Sequence, residues 1–112
     1  MAGWINGRAR PATLTIDVGR SDDTYNLALH GILDLSTSER LDAAIDAALL
    51  TDAPRVSVDL DGLNFVDSTG LATILRASRR GDGNGRLTMT RGTGEVAQLF
   101  KLTALDLVLP FD

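Results

Sequence analysis

A helical repeat stands between one strand-like segment and the next, and this order constrains the fold more than any other feature of the chain. Residues 24–30 alternate, with Tyr25, Leu27 and Leu29 on one side, the period of a half-buried strand. Residues 55–60 (RVSVDL) alternate again through Val56, Val58 and Leu60. Between them Leu41, Ala44, Ile45, Ala48 and Leu49 recur at helical spacing, while Asp42 and Asp46 fall on the other face. Two strands joined across a helix pair in parallel through a crossover. The order then repeats. Residues 68–80 read as a second helix with Leu71, Ile74 and Leu75 inward, and residues 86–90 as the next strand. Residues 94–102 read as a third helix burying Val96, Leu99 and Phe100, and residues 105–109 as a last short apolar strand. Upstream, residues 12–18 alternate through Leu14, Ile16 and Val18, and the turn chemistry of residues 19–23 (GRSDD) makes them a hairpin with residues 24–30. The predicted fold class is α/β, a mixed β-sheet covered by helices.

Local signals set the boundaries. Residues 31–35 (GILDL) make a short apolar bridge into the first helix, and Ser36 followed by Glu39 has the spacing of a capping box. Residues 51–54 end that helix, and the glycine-rich residues 81–85 (GDGNG) break the chain after the second. Arg76, Arg79 and Arg80 gather near the C-terminal end of the second helix, where cations suit the dipole. Residues 1–11 lack the apolar block of a signal peptide and read as a flexible lead-in, leaving residues 12–112 as a single domain in a cytoplasmic protein.

Composition narrows the chemistry. At 112 residues and 44% hydrophobic the chain can build one core, and with aromatics at 4% that core is aliphatic. The absence of cysteine excludes a disulfide scaffold, a thiolate zinc site and a cysteine nucleophile. The one histidine, His30, falls on the outward face of its strand with no companion ligands, so neither a metal nor a cofactor is expected. No apolar run approaches the roughly 20 residues of a bilayer-spanning helix. A net charge of −4 argues against general nucleic-acid binding. The charges are unevenly placed: residues 31–68 hold eight acids and two bases, whereas residues 76–101 hold six bases and two acids. Two solvated faces of opposite sign account for this, and so does an acidic half that steers a basic partner.

The segment 61–70 (DGLNFVDSTG) is the most specific. Phe65 and Val66 are expected to anchor it in the core. Asp67, Ser68 and Thr69 then stand where a helix begins, among free backbone N–H groups at the positive end of the dipole. Either Asp67 or Ser68 serves as N-cap, worth about 1 kcal/mol. Gly70 carries no side chain and leaves room for something large to approach Ser68. A nucleophile elbow would need glycine two residues before the serine, where Val66 stands. No G-x-x-x-x-G-K-[ST] phosphate cradle occurs. An enzyme is therefore not expected.

Residues 58–71 (VDLDGLNFVDSTGL) resemble the signature segment of STAS domains, in particular of bacterial anti-sigma factor antagonists. Residues 31–34 (GILD) are similar to the G-E-L-D of that family, and residues 96–106 (VAQLFKLTALD) to its third helix and following turn. The resemblance spans residues 12–111 with the three motifs in order. It implies a regulator: the serine matching Ser68 is phosphorylated by an anti-sigma factor that is itself a serine kinase, the unphosphorylated form binds that factor and releases the sigma factor, and a PP2C-type phosphatase resets the switch. Carried over residue by residue, Ser68 is the phosphoacceptor with Thr69 the alternative, and Asp34, Asp67, Ser68, Thr69 and Gly70 form the partner face. Separately, no unsatisfied apolar stripe in the sequence demands a homodimer, so the free domain is expected to be a monomer. The resemblance also leaves open a STAS subunit of a stressosome or of a lipid or anion transporter complex, and a nucleotide-binding sensor. One departure stands out: Ile32 replaces the acid of G-E-L-D.

Overall fold

The computed structural model describes residues 4–5, 8–9, 14–80 and 85–111. Two short strands, β1 (Trp4–Ile5) and β2 (Arg8–Ala9), pair antiparallel with Trp4 opposite Ala9, a pairing that the reading of residues 1–11 as a lead-in did not anticipate. The main sheet has the order β3-β4-β5-β6, built from β3 (Leu14–Ser21), β4 (Thr24–Leu33), β5 (Arg55–Val66) and β6 (Leu87–Met89). The expected hairpin is β3–β4, antiparallel, and both crossover pairings, β4–β5 and β5–β6, are parallel. Residues 12–13 and 81–84, parts of the expected first strand and of the glycine-rich breaker, lie outside the described residues.

Helices α1 (Ser38–Leu49), α2 (Ser68–Arg79) and α3 (Gly94–Leu102) follow β4, β5 and β6. Helix α1 packs on β4 and against α2, whereas α2 and α3 pack on β5. The buried residues of the sheet, among them Leu27, Leu29, Val56, Val58, Leu60, Leu87 and Met89, lie on the face the helices cover. The other face carries exposed Asp17 and His30, paired at 3.3 Å across the hairpin, and half-buried Asn26, Ser57 and Thr88.

Strand β5 is longer than its sequence suggests. Residues 61–66, expected as a loop, continue the strand, and twelve residues of β5 run beside ten of β4. Two bulges absorb the difference: the register passes from Ala28↔Asp59 to His30↔Gly62, and from Gly31↔Leu63 to Ile32↔Phe65. Each extra residue moves the inward-facing set by one place, so burial runs through Val56, Val58 and Leu60, then Leu63, then Val66. Glycine is required at the first bulge, because a Cβ on Gly62 would stand 2.5 Å from the Leu29 carbonyl oxygen.

Three further expectations need correction. Phe65 is not a core anchor; it is 51% exposed, because the second bulge turns it away from the face that Val66 occupies. The capping box does not form. Helix α1 starts at Ser38 after an N-cap at Thr37 with no side-chain cap, because the Thr37 hydroxyl oxygen accepts instead from the Asp34 N–H at 2.9 Å, while the Ser36 hydroxyl donates to Asp34 Oδ1 at 2.7 Å. The apolar run at residues 105–109 is not a strand. Leu105–Leu107 forms a 3-10 turn entered through Ala104 at φ 58°, and beyond it Phe111 makes an isolated parallel bridge to Met89.

The uneven charges meet inside the molecule. Arg80 spans Asp42 at 3.1 Å and Asp46 at 2.6 Å, and Arg76 joins Asp42 at 2.9 Å, which ties α2 to α1. Asp42 and Asp46 are thus engaged by the chain's own bases, and the acidity left for a partner lies elsewhere. Asp42 and Arg80 are both less than a third exposed, so a double-mutant cycle with Asp42→Asn and Arg80→Gln is expected to give a coupling of about 0.5–1 kcal/mol that shrinks with added salt. Arg86 holds the other end of α1, donating to the carbonyls of Leu49, Thr51 and Ala53 at 2.9–3.1 Å.

Candidate functional site

The parallel sheet brings together two segments far apart in sequence. Leu33 and Val66 are register partners at the last positions of β4 and β5, so the next residues, Asp34 and Asp67, emerge side by side. The Asp67 N–H donates to the Leu33 carbonyl at 3.2 Å and fixes that relation. Helices α1 and α2 both start at this edge, which is where the positive ends of helix dipoles collect in parallel α/β sheets.

Asp67 is the N-cap of α2: its backbone is extended and its Oδ1 accepts from the Gly70 N–H at 2.8 Å. Of the two N-cap candidates in the sequence, the aspartate takes the role and leaves Ser68 in the first helical position with its side chain exposed. Thr69 is half-buried, and its carbonyl accepts from the Thr73 hydroxyl at 2.9 Å. Replacing Asp67 by alanine is expected to lower stability by about 1 kcal/mol in urea unfolding, with Asp67→Asn retaining most of it, because asparagine caps equally well.

Gly70 has a different part from the one expected. It is buried, and a Cβ there would meet the Leu33 carbonyl oxygen at 2.5 Å and Val66 Cγ1 at 2.9 Å. The space left by the missing side chain is filled from inside, by the end of β4, and Gly70 seats α2 against the sheet.

Asp34 is half-buried in a tight turn. Its Oδ1 accepts from the Ser36 hydroxyl at 2.7 Å and the Ser36 N–H at 3.0 Å, while its own N–H donates to the Thr37 hydroxyl at 2.9 Å. The Ser36 hydroxyl holds the Asp34 carboxyl below its ordinary value, against a smaller opposing effect of burial. Ser36 and Thr37 were not singled out as site residues, yet they orient Asp34. The signal available in the sequence is hydroxyl residues two and three places after an aspartate, the pattern of Asx and ST turns.

Beside Val66 the edge continues into an open groove of about 360 Å³ between the end of β5 and α3. Phe65, Val66, Val96, Leu99 and Leu102 line it with Glu95, and among the described residues no cationic side chain does. Such a lining does not suit a nucleotide phosphate. Among the described residues no cluster of three or more His, Asp or Glu could hold a metal ion, and no helix is long and apolar enough to cross a membrane.

A one-sided mixed sheet with its helix starts gathered at one edge, and an exposed serine in the first turn of the second helix, place the chain in a narrow class of small α/β domains. Residues 9–110 match the family described as "Mlab, STAS domain". The chain belongs to the STAS domain family. Among solved structures it is similar to an anti-sigma factor antagonist from Mycobacterium paratuberculosis, at 23% identity and a TM-score of 0.79, over 91% of this chain and 87% of that one. It is also similar to the anti-sigma factor antagonist SpoIIAA in its unphosphorylated form, at 20% identity and a TM-score of 0.59, over 84% of this chain and 97% of that one. The phosphorylated form of SpoIIAA from Bacillus matches at 19% identity and a TM-score of 0.61, over 88% and 91%. A search of curated protein sequences finds no match.

Proposed function

We propose that this chain is an anti-sigma factor antagonist: its unphosphorylated form binds a serine-kinase anti-sigma factor and frees the sigma factor, and a phosphate on Ser68 ends binding until a PP2C-type phosphatase removes it. The observation that carries this reading is the exposure of Ser68 at the start of α2, beside Asp67 and on the same edge as Asp34. A kinase can reach that hydroxyl without unfolding the domain, and the half-buried Thr69 is the poorer acceptor. Membership of the STAS family, and similarity to an antagonist known in phosphorylated and unphosphorylated forms, support the reading.

The switch follows from charge. A phosphate adds about −1.5 to −2 charges. At a helix N-terminus these are tolerated or mildly favoured, so the fold persists. In an interface the same charges would be desolvated next to Asp67, and an uncompensated buried charge opposes association. The test is incubation with each kinase-type anti-sigma factor of the source genome and ATP, followed by mass spectrometry. One phosphate on Ser68 is expected. If no such factor binds the chain, and an ABC-type ATPase or permease co-purifies instead, the chain is a transporter subunit and the switch is abandoned.

A further inference from the structure

The second bulge of β5 makes a surface that the charge switch does not explain. It places Ile32 and Phe65 as register partners on adjacent parallel strands, one residue before Leu33 and Val66. Leu33 and Val66 are buried, at 0% and 5% exposure. Register partners on adjacent strands carry their side chains side by side, so Ile32 lies next to Phe65, which also borders the groove along α3. Ile32 is half-buried and Phe65 half-exposed. Leu35, two residues beyond Leu33, is 75% exposed at the same edge. Large apolar groups set together in water mark a contact surface more than scattered ones do. Their immediate flanks are acidic: Asp34 separates Leu33 from Leu35, and Asp67 follows Val66.

We infer that Ile32, Leu35 and Phe65 form the apolar centre of the docking surface and fix which anti-sigma factor is accepted, the occupant being a partner face with an aliphatic or aromatic anchor flanked by lysine or arginine. This rests on the reading of Ser68 given above and adds the specificity element to it. The complementarity is twofold. An apolar anchor removes the Ile32–Phe65 pair from water, and basic flanks answer Asp34 and Asp67. Apolar centres within polar rims carry most of the affinity of protein interfaces, whereas rim charges govern encounter and discrimination. An acid at position 32 would instead call for a base at the centre, so isoleucine selects against partners built that way.

The test uses the full chain and the kinase-type anti-sigma factor found to bind it, with affinities from calorimetry and folding checked by circular dichroism. Phe65→Ala is expected to weaken binding about 10- to 100-fold, as truncation of a central aromatic does. Ile32→Glu is expected to weaken it at least about tenfold by placing a carboxylate against an apolar anchor. Ile32→Val, which keeps shape and polarity, is expected to bind nearly as the parent does. Phe65 is half-exposed, so the unfolding midpoint of Phe65→Ala is expected to stay close to the parent's. Ile32→Glu, at a half-buried position, is expected to unfold at a lower temperature, and its affinity is measured where circular dichroism shows it folded. Loss of binding in Ser68→Asp but not in Ile32→Glu or Phe65→Ala overturns this inference and leaves the switch standing. Loss in Ile32→Glu and Phe65→Ala with full binding by Ser68→Asp overturns the switch and leaves the docking surface. If no kinase-type factor binds the parent chain, both are overturned.

Discussion

Ser68→Asp is expected to bind the kinase-type anti-sigma factor at least about 100-fold more weakly than the parent chain, while unfolding at nearly the same temperature. The two halves of that result have separate causes. Ser68 is exposed and in the first turn of α2, so a carboxylate there meets open amides and the positive end of the dipole. That is worth about 0.3–1 kcal/mol in favour of the fold, offset in part by Asp67 next door. In the complex the same carboxylate must shed its water beside another acid. A desolvated charge without a partner costs several kcal/mol, and two decades of affinity correspond to only about 2.7 kcal/mol. Ser68→Ala is expected to bind as the parent does and to stay bound when ATP is added. Calorimetry and thermal melts on the two variants check both statements. Equal affinity of Ser68→Asp and Ser68→Ala would remove the charge gate altogether.

Gly70→Ala is expected to do the reverse, damaging the fold first and binding as a consequence. Propensity alone predicts the wrong sign, since alanine in a helix is favoured over glycine by about 1 kcal/mol. Here the added methyl would stand 2.5 Å from the Leu33 carbonyl oxygen and 2.9 Å from Val66 Cγ1. The first of these is backbone at the end of a buried strand, and it also accepts the hydrogen bond from Asp67 N–H. It cannot yield without disturbing the junction between β4 and α2. Overpacking of this kind costs about 1–3 kcal/mol, and with a backbone carbonyl as the obstacle the upper end applies. A net loss of about 2 kcal/mol would lower the melting temperature by roughly 8–10 °C in a domain of this size. A melting temperature equal to or above the parent's would show that α2 slides outward at little cost.

Much of the architecture was legible because periodicity reports which face is buried. The parallel pairing of β4 with β5 follows from a helix of the right length between two alternating segments, and it holds. The extension of β5 was hidden for the same reason. Asp61, Gly62 and Asn64 interrupt the alternation, and a sequence gives no sign that each bulge restarts it one residue out of step. Phe65 was misassigned through that shift: an aromatic beside Val66 looks like core unless the parity change between Leu63 and Phe65 is known. The run at residues 105–109 was ambiguous in kind, since a short apolar stretch satisfies a strand and a 3-10 turn alike. At the site, the N-terminal position of Ser68 and the capping by Asp67 could be read from residue types. The approach of Asp34 to Asp67 could not, because it depends on the register of two strands. Nor could the inward use of Gly70, which depends on where Leu33 ends.

The paired bulges make β5 behave as a vernier against β4: twelve divisions on one scale set beside ten on the other, brought to coincidence at Leu33 and Val66. Where that coincidence falls decides which side chain is handed outward just before the serine. Losing Asn64, the residue the second bulge accommodates, would erase that bulge and leave eleven divisions against ten with Leu33 and Val66 still coincident. A lineage of such domains can therefore retune what its rim presents through single-residue insertions and deletions in residues 61–65, with the helices and the core left as they are.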